Sequence, residues 1–161
     1  DRVSRPDGAE ITVDRTDPLG TLGRLVQEDF CVLQKQGDEH VLTGAVLCFP
    51  ASWTLSEKIM KPLLGIHETV DSYDDGIAKR VQRLFDGVQV DRPMWRFNAL
   101  WYTNPELHQP RSIHDRRIAP EQVDAPYFRS ERQCILRLPQ TQAVVFSIHT
   151  YILARSDVPE M

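Results

Sequence analysis

Apolar residues recur at helical spacing in two segments of the chain. In the first, Asp17 can cap a helix that has proline at its first position, and leucines follow at the intervals of one helical face. In the second, apolar residues fall at i, i+4, i+7 and i+8 after Asp74, with charged residues opposite and Gly87 where a helix would end. The pattern predicts helices over residues 18–28 and 74–87.

Five other segments have the alternation or the continuous apolar runs that are typical of β-strands. The clearest alternation, over residues 94–102, puts Trp95 and Phe97 on one face and Arg96 and Asn98 on the other. The run 41–49 is almost entirely apolar, so we expect a central or doubly covered strand there. The predicted strands are 30–34, 41–49, 94–102, 127–138 and 143–153.

The order of these elements predicts the fold class. A hairpin, a helical middle, a strand and a second hairpin describe an α+β domain with a single antiparallel five-stranded sheet and helices on one face. This layout is PAS-like, as an analogy at the level of the fold. We expect residues 1–18 to be a loose N-terminal segment, 19–155 the domain and 156–161 a C-terminal tail.

Composition excludes several classes of protein. The 161 residues include 23 acidic and 19 basic side chains, which give a formal charge of -4, and this balance argues against a nucleic-acid binder. No apolar run approaches the roughly 20 residues that cross a membrane. Three cysteines, few and far apart, indicate reduced thiols rather than a disulfide framework, so we expect a cytoplasmic protein.

The common self-contained catalytic motifs, such as phosphate loops and zinc or serine hydrolase signatures, do not occur in the sequence. Among the histidines, His67 has a distinctive setting, because it follows a short apolar run in which Gly65 would let a flat ligand approach. A neutral imidazole in an apolar slot suits an axial iron ligand. It also suits a core histidine that bonds a backbone carbonyl, and the residue pattern leaves both interpretations open.

Arginines on the predicted strands are further candidates. Arg96 and Asn98 share one face of a strand that looks central, and a buried guanidinium needs a protein carboxylate or an anionic ligand. In the strand 127–138, the apolar neighbours of Arg132 in the alternation suggest that this residue points inward. The alternate residues are expected to form a solvated face: Arg129, Glu131, Gln133 and Arg137.

Five segments carry a family resemblance. They are VQEDF at 26–30, CFPASW at 48–53 with EK at 57–58, PLLGIHE at 62–68, WRFN at 95–98 with PEL at 105–107, and RSERQ at 129–133 followed by LP at 138–139 and VVFSI at 144–148. Collinear over about residues 19–153, they resemble the haem-dependent oxidative N-demethylase alpha-subunit-like family. Only 18 residues precede Leu19 in the first predicted helix, fewer than this family usually has, so we expect a fragment or a trimmed domain.

The resemblance implies a PAS-like haem-dependent oxidoreductase of the monooxygenase type. It would hold haem b, activate oxygen at the iron and release a methyl group of a small amine such as dimethylamine as formaldehyde. Electrons would come from NADPH through separate flavin and iron–sulfur partners, with no nucleic-acid or membrane partner. The alternatives are a non-catalytic PAS-like module that senses haem or another small ligand, and a structural domain.

The resemblance also implies roles for particular residues. His67 would be the iron ligand, since it lies inside a family motif. Arg96, Asn98 and Arg132 would line the pocket or meet the propionates. Trp53 would flank the macrocycle, although a tryptophan of the core is an equally natural interpretation.

Overall fold

The computed structural model describes residues 1–68, 74–115 and 124–159. Two short 3-10 turns, Leu55–Glu57 and Arg155–Asp157, accompany the helices and strands. The elements in chain order are β1 Arg2–Ser4, β2 Glu10–Thr12, α1 Pro18–Leu25, β3 Asp29–Gln36, β4 Glu39–Val46, α2 Leu63–Ile66, α3 Asp75–Gly87, β5 Met94–Tyr102, β6 Tyr127–Arg137 and β7 Val144–Ala154.

Both predicted helix starts are confirmed. The Asp17 carboxylate accepts a hydrogen bond from the amide of Gly20, which is the side-chain cap that the sequence indicates. The Asp74 carboxylate caps α3 in the same way, by accepting a hydrogen bond from the amide of Ile77. α1 is shorter than expected, because Val26 already has extended backbone angles.

Within the described residues, five strands form one antiparallel sheet in the order β4-β3-β7-β6-β5. The predicted α+β class and five-stranded antiparallel sheet are therefore confirmed. β4 and β5 lie at the two edges, so the expectation that β5 is central is wrong. β4 is an edge strand too, but helices contact it on both faces, which explains its continuous apolar run.

Helices lie on both faces of this sheet. We call the face that packs against α2 and α3 the inner face; it carries Cys31 of β3 and Ile135 of β6. α1 packs on the opposite, outer face, where Gly23 approaches Val46. The expectation of helices on one face is thus right for α2 and α3 and wrong for α1.

The hydrophobic core lies between the inner face and the two helices α2 and α3. Apolar side chains of the segment that leads into α2 also pack against it, among them Trp53 and Ile59. The buried members of this core are Cys31, Leu33, Leu42, Leu63, Phe85, Val88, Ile135 and Val144. Since most of them lie towards β3, β4 and α3, the part of the inner face near β5 is left with less apolar cover.

The N-terminal segment is not loose over its whole length. β1 and β2 pair as an antiparallel hairpin, with Arg2 opposite Thr12. Arg5 donates a hydrogen bond of 2.8 Å to the carbonyl of Arg24 and so ties the hairpin to the end of α1. The predicted C-terminal tail begins within the turn Arg155–Asp157, and its last two residues lie outside the described part of the chain.

Two simple chemical features accompany this fold. All three cysteines are free thiols, as their spacing suggests. None of the helices in the described ranges is long and apolar enough to span a membrane.

Replacing Gly23 by alanine should destabilise the protein. A Cβ at this position would lie 2.7 Å from Cγ2 of Val46, and a β-branched side chain on a strand has little freedom to move aside. The overpacking cost of about 1–3 kcal/mol should outweigh the gain in helix propensity of about 1 kcal/mol. The measurement is the free energy of unfolding in urea.

Gly87→Ala is the matched control, because a Cβ at the end of α3 would meet nothing within 4 Å. We expect this variant to be as stable as the wild type or slightly more stable. Equal stability of Gly23→Ala and the wild type would show that α1 does not pack this closely on β4.

Candidate functional site

A row of polar side chains crosses the inner face from β5 to β6. Arg96 Nε donates a hydrogen bond of 2.9 Å to Gln133 Oε1, and Gln133 Nε2 donates one of 3.1 Å to Glu131 Oε2. The other oxygen of Glu131 lies 3.6 Å from Arg129 Nε. Asn98 pairs with Glu131 across the two strands and therefore shares this face. We call these five residues the inner-face row.

Arg129 anchors the row. Arg129 is only 2% exposed. Its Nη2 donates a hydrogen bond of 2.8 Å to the carbonyl of Phe49, and its Nη1 donates one of 3.1 Å to the carbonyl of Leu107. Nη2 also lies 3.4 Å from the hydroxyl of Thr150 on β7. This guanidinium therefore holds two separate loops against the sheet, one after β4 and one after β5.

Asp29 also holds the first of these loops, the one after β4. This residue is 1% exposed, and its Oδ1 accepts hydrogen bonds from the backbone amides of Cys48 and Phe49, the second at 2.9 Å. Burial raises the pKa of the Asp29 carboxyl above its ordinary value, although the two amides oppose the shift. The backbone at 48–49 is consequently fixed by two side chains, the carboxyl group of Asp29 and the guanidinium group of Arg129.

His67 lies immediately after α2, at its C-terminal cap. Its Nδ1 is 2.8 Å from the carbonyl oxygen of Leu63, a geometry in which Nδ1 carries the proton and donates it. The lone pair of the neutral ring is then on Nε2. Burial lowers the pKa of His67, the hydrogen bond to the Leu63 carbonyl opposes this shift, and the positive charges of Lys58 and Arg96 add to it.

Trp53 and Lys58 complete the surroundings of this histidine. Trp53 is half-buried and packs against the hydrophobic core. Lys58 Nζ lies 5.3 Å from the centroid of the Trp53 ring, within the range of a cation–π contact. Trp53 therefore packs against the core, as one of its two interpretations from the sequence has it, and its place beside a macrocycle stays a prediction.

Of the site residues predicted from the sequence, His67, Trp53, Arg96 and Asn98 lie on the inner side of the sheet. Arg132 does not join them. It lies opposite Phe97 and His149 on the outer face, where Nη2 contacts Glu28 Oε1 at 3.0 Å. The apolar neighbours of Arg132 had suggested that its set of alternate residues in β6 points inward, but the other set, which includes Arg129 and Ile135, lies on the inner face.

The residues that sequence reasoning missed are Lys58, Arg129, Glu131 and Gln133. Three of them belong to the class of β6 that was expected to be solvated, yet Arg129 and Gln133 are buried. A signal for the three residues of β6 was present in the sequence, because they alternate in step with Ile135, which belongs to the core. No group of three or more His, Cys, Asp or Glu side chains in the described ranges could hold a bare metal ion.

A comparison with protein families identifies the class. The family model described as "Haem-dependent oxidative N-demethylase, alpha subunit-like" matches residues 3–161. The chain therefore belongs to this family, and the resemblance seen in its five motifs is confirmed.

Arg129 and Arg132 offer a test of the two faces of β6. Arg129→Gln should lower the free energy of unfolding by at least about 3 kcal/mol, because it leaves several buried carbonyl groups without their donor and Glu131 without the nearby positive charge. Arg132→Gln should cost less than about 1 kcal/mol, because its ion pair with Glu28 is partly exposed. Denaturant unfolding of both variants checks this.

Equal losses from the two substitutions would contradict the assignment of Arg129 as the anchor. Far-UV circular dichroism of Arg129→Gln shows whether the variant folds at all. If it does not fold, Arg129→Lys, which retains one donor group, should give an intermediate loss of stability.

Proposed function

We propose that this chain is the haem-binding, amine-oxidising component of an oxidative N-demethylase. The observation that carries the proposal is the setting of His67, whose Nδ1 is engaged by the Leu63 carbonyl while the polar side chain of Arg96 lies nearby. Histidines that bind metals commonly donate their second ring nitrogen to a carbonyl or carboxylate, which orients the ligating nitrogen. The membership of the chain in the family supports the choice of haem as the iron carrier.

The residues around His67 fit haem b. Ile66, Trp53 and Met94 are partly buried apolar side chains of the kind that accommodates a flat macrocycle. Arg96 and Asn98 are exposed on the inner side of β5 and would give the propionates a cation and an amide. When bound, haem would supply the binding and activation of oxygen, chemistry that amino-acid side chains lack.

The substrate in this proposal is a small N-methylated amine such as dimethylamine. At neutral pH such an amine is a cation that needs a hydrogen-bond acceptor, and the Glu131 carboxylate lies in the inner-face row with 15% of its side chain exposed. The overall reaction takes dimethylamine, oxygen, two electrons and two protons to methylamine, formaldehyde and water. The methyl carbon is oxidised and oxygen is reduced.

The electrons would come from NADPH through separate flavin and iron–sulfur partners, which is what the resemblance to this family implies. The words "alpha subunit-like" in the family description support a multi-subunit enzyme. The strand order, with α2 and α3 between β4 and β5, supports our assignment of the domain as PAS-like.

His67→Ala should weaken haem binding by more than about 10-fold, since even the outer partners of metal ligands have effects of that size. Haem retention is measured from the Soret band of the reconstituted protein. Added imidazole should restore a six-coordinate or five-coordinate imidazole spectrum, because the cavity left by His67 admits the free ligand.

His149→Ala is the control, because His149 lies opposite Arg132 on the outer face of the sheet. This variant should bind haem like the wild type. An unchanged Soret spectrum in His67→Ala would show that the ligand is a different residue.

Turnover distinguishes an enzyme from a sensing module. The haem-loaded protein, supplied with NADPH and a flavin-dependent reductase, should convert dimethylamine to equal amounts of formaldehyde and methylamine. Diethylamine, which has no N-methyl group, is the matched substrate and should give no formaldehyde. If several secondary and tertiary N-methylamines give none in a reducible, haem-loaded sample, the non-catalytic PAS-like sensing module becomes the better interpretation.

A further inference from the structure

Lys58 has an unusual position beside the site. It follows the turn Leu55–Glu57, and its amide donates to the Leu55 carbonyl at 3.0 Å, which fixes the start of the side chain. The residue is half-buried, its Nζ lies over the Trp53 ring, and its charge acts on His67. Among residues 1–68, 74–115 and 124–159, no carboxylate forms an ion pair with it.

The nearest acidic residue in the sequence is engaged elsewhere. Glu57 Oε1 accepts a hydrogen bond of 2.6 Å from the hydroxyl of Ser112, and Oε2 accepts one of 2.7 Å from the hydroxyl of Thr54. Oε2 also accepts from the backbone amide of Ile113 at 3.1 Å. Glu57 thus fastens the loop after β5 to the segment before α2, and its carboxylate is committed to that contact.

The other groups around Lys58 supply no negative charge. Burial raises the pKa of the Cys31 thiol to about 12, so it remains a neutral thiol and not a thiolate. The imidazole of His67 is either neutral or positively charged and therefore supplies no negative charge. Burial also lowers the pKa of Lys58 itself. The charge of the Glu57 carboxylate opposes this shift, but Glu57 forms no ion pair with the ammonium group. An ammonium group that is partly withdrawn from water and has no paired anion is unfavourable, and a bound anion would reduce that cost.

We infer that Lys58 is a binding residue for a carboxylate of the ligand on the inner face, and that it acts together with Arg96. Both cations lie on the inner side of the sheet: Arg96 is on β5 opposite Gln133, and Lys58 lies over the ring of Trp53, which packs against the core of the inner face. The carboxylate has two chemical sources: a propionate of haem, in which case the inference rests on the proposed function, or the carboxylate of an N-methylated amino acid.

The variants that test this are Lys58→Met, which keeps the length of the stem and removes the charge, and Lys58→Arg, which keeps the charge. Lys79→Met is the matched control, because Lys79 is exposed on α3. The first measurement is the rate of haem transfer to excess apomyoglobin, with each variant loaded with protohaem or with its dimethyl ester, which has no propionate charge.

If a propionate is the source, Lys58→Met should speed the loss of protohaem about 10-fold or more, as expected for one charge-assisted hydrogen bond. It should leave the loss of the dimethyl ester unchanged, and Lys58→Arg and Lys79→Met should resemble the wild type. An equal effect on both haems would show that Lys58 acts through packing and would overturn the inference.

If the substrate is the source, Lys58→Met should weaken the binding of N-methylglycine about 10-fold and leave dimethylamine binding unchanged. Calorimetry measures both ligands, on haem-loaded and on apo protein. Unchanged binding of protohaem and of N-methylglycine would refute the role of Lys58. A wild type that takes up no haem would refute the proposed function instead, and the N-methylglycine measurement on apo protein would still decide about the lysine.

Thermal unfolding of the apo protein separates a binding role from a structural one. Because Lys58→Met removes a desolvated charge that has no anion, the variant should melt at the same temperature as the wild type or at a higher one. A lower melting temperature would show that the lysine stabilises the fold and would count against the inference.

Discussion

A guanidinium can be buried in a sheet only where oxygen atoms converge on it, and the geometry around the site depends on this requirement. Arg129 meets it with the carbonyls of Phe49 and Leu107 and the hydroxyl of Thr150. These oxygens come from two loops and from β7, so satisfying one side chain fixes the position of three parts of the chain. Asp29 reinforces the first loop through the amides of Cys48 and Phe49. Arg129 and Asp29 therefore hold these segments in place. The positions of the side chains that we propose to face the ligand depend on the segments held in this way.

The inner face divides into two regions with different tasks. Towards β3 and β4 it is apolar and packs against Leu63 and Phe85, which supply much of the buried core. Towards β5 it carries the inner-face row, and β5 is an edge strand whose residues are mostly exposed. A fully apolar inner face would pack more simply but would offer a ligand no orienting contacts. The separation lets the stable region hold the fold while the open region remains accessible.

The sequence predicted the elements well because capping residues and periodicity are local signals, as at Asp17, at Asp74 and along β5. It also singled out His67, since an apolar run that ends in histidine is visible without the fold. It could not predict that β5 lies at an edge, because strand order is set by pairing between distant segments. The prediction of which alternate residues of β6 lie on the inner face was wrong for a related reason. Alternation separates Arg129 from Arg132 but does not tell which one finds acceptors, and those acceptors are carbonyl groups that carry no sequence signal.

The charge of the site also differs from that of the whole chain. The protein has a formal charge of -4, yet the side chains that we propose to face the ligand include the cations Lys58 and Arg96 beside the imidazole of His67. The Asp29 carboxyl accepts hydrogen bonds from the amides of Cys48 and Phe49, and Glu131 is already bound to Gln133 and lies near Arg129. The local balance therefore favours a ligand with at least one carboxylate, and the excess of acidic residues elsewhere has little influence at this distance because salt screens it within about 10 Å. In our proposal, ligand selection therefore depends on which ionisable groups are buried together and not on the net charge of the chain.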